Sequence, residues 1–179
     1  MEEIEIPTEH LQEQINEQAE ERREKWSLYV ALSTALMAVF AAVCGLIAGH
    51  HSNEALIEQI KSANGWSYYQ AKSIKSEIAV ATGKIISKLT SQEADTASIK
   101  KIERYEKEKE ELKKSAEESE LQSEMHLSKH NILARGVTLF QIAIAMAAIA
   151  IITRKKLLWA ISIVLAAGGL FFLLQGTLF

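Results

Sequence analysis

Three stretches of the chain carry no charged side chain and are strongly apolar. They cover residues 28–49, 137–153 and 157–179. A helix needs about 20 mostly apolar residues to cross a bilayer core, so the second run is short unless its flanking turns contribute. The pattern predicts an all-α membrane protein with transmembrane helices at 27–49, 136–153 and 157–179.

Small residues recur every three or four positions along the first apolar run. They are Ala31, Ala35, Ala38, Ala42, Gly45 and Gly49. Helices in lipid associate by close packing, which small side chains permit, and a mean step of 3.5 residues holds one face against a partner. We define these six residues as the span-1 seam. Its predicted partner is either a second copy of the protein or another span of the same chain.

Between the first two spans, the pattern changes to amphipathic helix. Apolar and small residues follow helical steps at Leu56, Ile60, Ala63, Ser67, Ala71, Ile74, Ile78, Ala81, Ile85 and Leu89, which is typical of a buried helix face. Cap signals near Thr90–Thr96 predict a turn, and a second, highly charged helix follows. We therefore predict a coiled-coil hairpin over 50–135, with arms at about 52–90 and 97–130. The less charged first arm is expected at the centre of several copies.

Two side-chain clusters in the hairpin are candidate sites. Trp66, Tyr68 and Tyr69 form an aromatic cluster, which is either packing between the arms or a platform for a partner. His126 and His130 lie one helical turn apart, as two metal ligands can. His50 and His51 start at a different height above the membrane, and the spacing fixes no third ligand. The sequence therefore predicts no metal site, with the His126 and His130 pair as weak candidates.

Basic residues near the spans predict the topology. They are Arg22, Arg23, Lys25, Arg154, Lys155 and Lys156. The positive-inside rule places these on the cytoplasmic side, so the hairpin and the C-terminus are expected outside the cytoplasm. In this orientation the acidic segment 1–26 is cytoplasmic and partly helical, and Trp26 and Tyr29 fit an aromatic belt at the interface. The opposite orientation is the alternative.

Composition excludes several functional classes. The 20 basic and 23 acidic residues are balanced, whereas a nucleic-acid binder shows a concentrated basic face. The single cysteine, Cys44, cannot form a disulfide within one chain, and its thiol is expected to bond back to its own helix. No nucleophile–base pair, phosphate-binding glycine loop or paired acid is present, so we expect neither an enzyme nor a cofactor.

Three separate motifs resemble one protein family. They are Trp66–Lys75 (WSYYQAKSIK), Leu139–Ile144 (LFQIAI) and Ile151–Lys156 (IITRKK), and they resemble the bacterial membrane family called domain of unknown function 4337. The resemblance implies an inner-membrane protein with three spans and a coiled-coil insertion, and it implies no activity. The family's hairpin base is richer in histidine than the sequence around Met125 and Lys129, which further weakens a metal site.

These features together predict a homo-oligomeric inner-membrane scaffold or adaptor. Its expected partners are membrane lipid, other copies through span 1 and the first arm, and a further protein of unknown identity. A channel or transporter-like assembly of several copies is the alternative, and a membrane sensor is a third. The span-1 seam argues against a channel, because Ala and Gly bring helices close together and the spans lack polar stripes.

Overall fold

The computed structural model describes residues 8–90 and 96–178, and the side-chain packing of residues 25–89 and 99–178. This part of the chain forms three helices, α1 (Thr8–Thr90), α2 (Thr96–Thr153) and α3 (Lys156–Leu178), and contains no strand. The predicted all-α fold is confirmed. The start of the acidic segment and the predicted capping turn around Glu93 lie outside the described residues.

Both long helices extend well beyond their apolar runs. α1 has 83 residues and passes through Asn64 and Gly65 without a break. α2 has 58 residues and carries both the charged second arm and the second apolar run. Neither helix contains a proline, which is the residue that most strongly interrupts a helix interior.

A two-residue connection joins α2 to α3. Arg154 has a φ of 56°, the left-handed conformation that often ends a helix. Its backbone N–H donates to the Ile151 carbonyl at 3.3 Å, and the Leu158 N–H donates to the Lys155 carbonyl at 3.1 Å. The charged connection between α2 and α3 is therefore a tight turn.

The helices fold into two compact units, which we describe separately. The first contains the chain up to Ala48 together with the chain from Asn131 onward, and the second is Gly49–His130. Two apolar clusters form the core of the first unit. One contains Cys44, Ala48, Leu133 and Leu173, and the other contains Met37, Phe140 and Ala143.

Small residues on α2 and α3 bring the helices of the first unit close together. A Cβ placed on Gly136 would lie 3.1 Å from the Cys44 sulfur and 3.2 Å from the Gly169 carbonyl oxygen. Three helices thus meet at a point where only glycine fits α2. Further along α2, Ala143, Ala147 and Ala150 are completely buried. α2 thus packs in the first unit through a face of small residues.

In the second unit, α1 and α2 run in opposite directions. From its base outward, contacts join Ala55 with Ser123, Gly65 with Ala116, and Ser76 with Glu106. A Cβ on Gly65 would lie 2.9 Å from the Ala116 Cβ and 3.3 Å from its Cα. The two helix backbones therefore approach closely at Gly65, where a glycine in α1 permits it.

Candidate assembly faces and the histidine pair

The span-1 seam does not pack against the other spans of the same chain. Ala31, Ala35, Ala38, Ala42 and Gly49 are exposed, and the sixth member, Gly45, is partly buried. α1 instead buries a neighbouring face through Val30, Met37, Cys44 and Ala48. Within one chain, then, the seam is available to another surface.

The apolar face of α1 in the second unit is also exposed. We define the uncovered face as the ten predicted core positions from Leu56 to Leu89, and all ten are exposed in a single chain. Ile74, Ile78 and Ile85 show 57%, 60% and 58% of their surface. The expected burial of this face is therefore not provided by the chain's own second arm.

The second arm packs on the opposite side of α1. The buried positions there are small or polar and include Ala55, Ser62 and Ser76. Ser62 and Ser76 are separated by 14 residues, close to four turns, so they share a face. Ser76 and Ile74 are two residues apart, or about 200° around the helix. α1 thus carries its polar contacts towards α2 and its isoleucines away from it.

Charged side chains link the two arms. Lys72 pairs with Glu108, and the Ser76 hydroxyl donates to Glu106 Oε1 at 2.7 Å. The hydrogen bond from Lys109 holds the pKa of Glu106 below its usual value, and the hydrogen bond from Lys72 does the same for the pKa of Glu108. These carboxylates stay ionised near neutral pH and fix the register of the arms. The sequence did not reveal the Lys72–Glu108 pair, because its members lie 36 residues apart.

The predicted aromatic cluster is divided between packing and solvent. Trp66 and Tyr69 are partly buried and contact each other edge to face, with ring centroids 5.6 Å apart. Tyr68 points away and exposes 64% of its surface. The three side chains therefore do not form one platform within a single chain.

The structure brings together histidines from both arms at the base of the second unit. His51 Nδ1 and His126 Nδ1 are 2.9 Å apart, so one of them donates a hydrogen bond to the other. The His50 ring centroid lies 5.5 Å from that of His51. The expectation that the two histidine pairs lie at different heights is wrong for His51 and His126, because the arm register sets them side by side.

The His51–His126 geometry is that of a hydrogen bond rather than of a metal chelate. The ring centroids are 5.2 Å apart, close to the nitrogen–nitrogen distance plus the distance from each nitrogen to its ring centre. The two nitrogens therefore face each other instead of converging on a third point. Among the residues that the structure describes, no three His, Cys, Asp or Glu side chains form a group that could hold a metal ion.

Burial lowers the pKa of His51, and nearby cationic groups add to this effect. His126, His50 and Lys129 disfavour a proton on His51, while Glu54 favours it. A second proton on the His51–His126 pair would also place two N–H groups against each other. The hydrogen bond between the two rings therefore requires that one of the two Nδ1 atoms carries no proton.

The predicted topology residues fall partly within the described side chains. Lys25, Arg154, Lys155 and Lys156 are exposed, and the side chains of Arg22 and Arg23 lie outside the described set. The Trp159 indole N–H donates to the Ser33 hydroxyl at 3.2 Å. The start of α3 therefore lies beside the early part of the first apolar run.

Cys44 makes a contact that differs from the sequence expectation. Its thiol donates to the Leu133 carbonyl of α2 at 3.2 Å, whereas Ser33 and Thr34 do bond back to the Val30 carbonyl of their own helix. The thiol reaches α2 because Gly136 lets the two helices approach. A lone cysteine in a sequence gives no sign of such a contact.

All three helices contain a segment long and apolar enough to cross a membrane. This architecture fits a multi-pass membrane protein. A family model matches residues 26–179, and the chain belongs to that family, which is described as Domain of unknown function (DUF4337). Comparison with curated proteins finds no match. Comparison with solved structures finds none either.

Proposed function

We propose that this protein is a homo-oligomeric scaffold or adaptor of the bacterial inner membrane, without enzymatic activity. Its second unit would be a coiled-coil hairpin outside the cytoplasm, with the N-terminus of the chain in the cytoplasm. Copies would associate through the uncovered face and the span-1 seam, and a further protein could bind the assembled hairpins.

The observation that carries this proposal is the exposure of the uncovered face. Burying a large aliphatic side chain stabilises a protein by about 1.5–3 kcal/mol, and this face leaves six of them outside the fold. They are Leu56, Ile60, Ile74, Ile78, Ile85 and Leu89. An exposed apolar stripe of this length indicates an interaction surface.

A second copy is the occupant that fits the face. The stripe keeps three- and four-residue steps, so the same stripe on another copy offers matching knobs and holes. Hydrocarbon is a poor occupant, because Lys75, Glu77 and Lys84 stand between the isoleucines and charges in the bilayer core are costly. The highly charged second arm is already used on the opposite side of α1.

The span-1 seam supports the same arrangement within lipid. Its small residues stay exposed although α1 packs tightly elsewhere. Close helix contact there would gain packing that lipid tails do not supply. The same close contact argues against the channel alternative, since it leaves no path between helices.

The mass of the purified full-length protein in nanodiscs tests the proposal. We expect a discrete multiple of the 19.9 kDa chain. Ile74→Glu with Ile78→Glu should reduce the mass towards one copy, because two charges would be buried in the interface. Gln70→Glu is the control, since it adds a charge at an exposed position beside the face without removing an apolar side chain. A monomer in the unmodified protein would refute the proposal.

A further inference from the structure

An apolar groove runs between α1 and α3 in the first unit. It has a volume of about 220 Å³, and its lining includes Leu36, Phe40, Phe140, Ala167 and Leu170, with Ser33 at one end. Phe140 is fully buried beneath it, while Leu36 and Ala167 are exposed along its sides. The groove therefore opens on the lipid-facing surface of segments that are apolar enough to span a membrane.

An unsatisfied polar group lies on the same side of α1 as the groove. Trp26 Nε1 is buried and has no hydrogen-bond partner, the one such side-chain nitrogen or oxygen in the described part of the chain. Trp26, Ser33 and Phe40 are seven residues apart, close to two turns each, so they share one helix face. A buried N–H donor without an acceptor costs about 1–3 kcal/mol. An acceptor at this end of the groove would remove that cost.

Basic side chains stand at the same end. Trp159 contacts Ser33 in the groove, and Lys156 precedes Trp159 by about one turn of α3. Lys156, Trp159 and Ile163 follow helical steps into the lining. Lys155 and Lys156 are exposed, so positive charge stands at this end of the groove, and the enclosed indole donor of Trp26 lies about two turns of α1 beyond Ser33.

We propose that the first unit binds an anionic glycerophospholipid in this groove. One acyl chain lies along Phe40 and Phe140, and the phosphate lies near Lys155 and Lys156. An ester or phosphate oxygen accepts from Trp26 Nε1 once the side chains that enclose this nitrogen move aside. A glycerophospholipid supplies an apolar chain, hydrogen-bond acceptors and a negative charge in that order along its length. Each part of the site thus has a matching part of the ligand.

The proposed assembly of copies leaves this site open. In the groove, Leu36 lies two residues before Ala38 of the span-1 seam, and Phe40 lies two residues before Ala42. Two residues correspond to a rotation of about 200° around α1. The groove and the seam therefore face nearly opposite directions. Lipid binding goes beyond the proposed function and does not depend on the number of copies.

Quenching of tryptophan fluorescence by brominated lipid tests the proposal. The full chain with Trp66→Phe, which leaves Trp26 and Trp159 as reporters, is reconstituted in phosphatidylcholine vesicles. A minority of the lipid is brominated phosphatidylglycerol or, in parallel, brominated phosphatidylcholine. We expect several-fold stronger quenching by the anionic lipid, because each nearby Lys or Arg favours an anionic lipid about fivefold. Equal quenching by the two lipids would overturn the proposal.

Two variants separate the headgroup from the groove, each with a matched control. Lys155→Gln with Lys156→Gln should abolish the preference, while Lys84→Gln with Lys88→Gln in the second unit should retain it. Ala167→Phe fills the groove from an exposed position and should also abolish it, whereas Val164→Phe on another exposed side of α3 should not. Helix content by circular dichroism must remain unchanged. A preference that survives Ala167→Phe would overturn the proposal, because surface charge alone would then explain it.

Discussion

In each of the two units, α1 has one face that packs within the chain and another that stays exposed. One face packs within the chain, through Val30, Met37 and Cys44 in the first unit and through Ala55 and Ser76 in the second. The other consists of the span-1 seam and the uncovered face, which remain exposed. Both faces repeat at helical spacing, so periodicity alone does not distinguish them.

The difference shows that apolar character alone does not decide which face of a helix packs within the chain. In the second unit, the in-chain face uses alanine, serine and glycine, and its specificity comes from close backbone approach and pairs such as Lys72–Glu108. The isoleucines lie on the other side. A fold built in this way leaves its largest aliphatic side chains on α1 exposed in the single chain.

The largest effect is expected from a cavity in the in-chain face of the first unit. Phe140→Ala should lower the free energy of unfolding by about 3 kcal/mol, because the buried ring packs against Phe40 and Gly169. Phe171→Ala is the matched control, since that ring is 63% exposed. Thermal unfolding in detergent, followed by circular dichroism, measures both. Equal losses would mean that burial within the first unit does not distinguish the two rings.

A smaller loss is expected at Gly65, where α1 and α2 approach closely. Gly65→Ala should destabilise the second unit by about 1–3 kcal/mol, because the new methyl meets Ala116 and its backbone. Gly83→Ala meets nothing within 4 Å and should stabilise α1 by about 0.5–1 kcal/mol, since alanine favours a helix over glycine. Chemical unfolding of the two variants compares them. A gain at both positions would contradict the close approach.

Substitutions on the exposed faces should change the association of copies rather than the stability of the single chain. Ala38→Ile places bulk on the span-1 seam and should weaken association by about 1 kcal/mol, while leaving the unfolding of the single chain unchanged. Val39→Ile adds a methyl group at an exposed position beside the seam and serves as control. The dissociation of copies on dilution in detergent measures the difference. An unchanged dissociation midpoint for Ala38→Ile would exclude the seam from the interface.

The smallest effect is a dependence on pH at the base of the second unit. The folded pKa of His51 is lowered, so the unfolded chain binds more protons there. Stability is therefore fully present above the ordinary histidine pKa of about 6.5 and falls as the pH drops from there through the lower folded value. Loss of one partly exposed hydrogen bond amounts to about 1 kcal/mol. His51→Gln should make the free energy of unfolding depend less on pH between pH 7 and 5. An unchanged dependence on pH in this variant would show that other groups cause it.

Sequence reasoning could predict the elements but not the register between them. His126 can be recognised in the sequence as a candidate. Its pairing with His51, 75 positions earlier, depends on how α1 and α2 are aligned with each other. Gly65 and Ala116 set that alignment by close approach. One step of register along the arms would separate the histidines, and local spacing contains no information on it.

By itself, the sequence determined the helices and the three apolar segments. Long charge-free runs and the absence of proline after Pro7 leave few other structures for the backbone. Only the tertiary structure decided which faces meet, because helical periodicity marks a face to be covered without identifying its partner. Small residues let Gly65 approach Ala116 and let Cys44 reach α2. This packing leaves the span-1 seam and the uncovered face of α1 exposed.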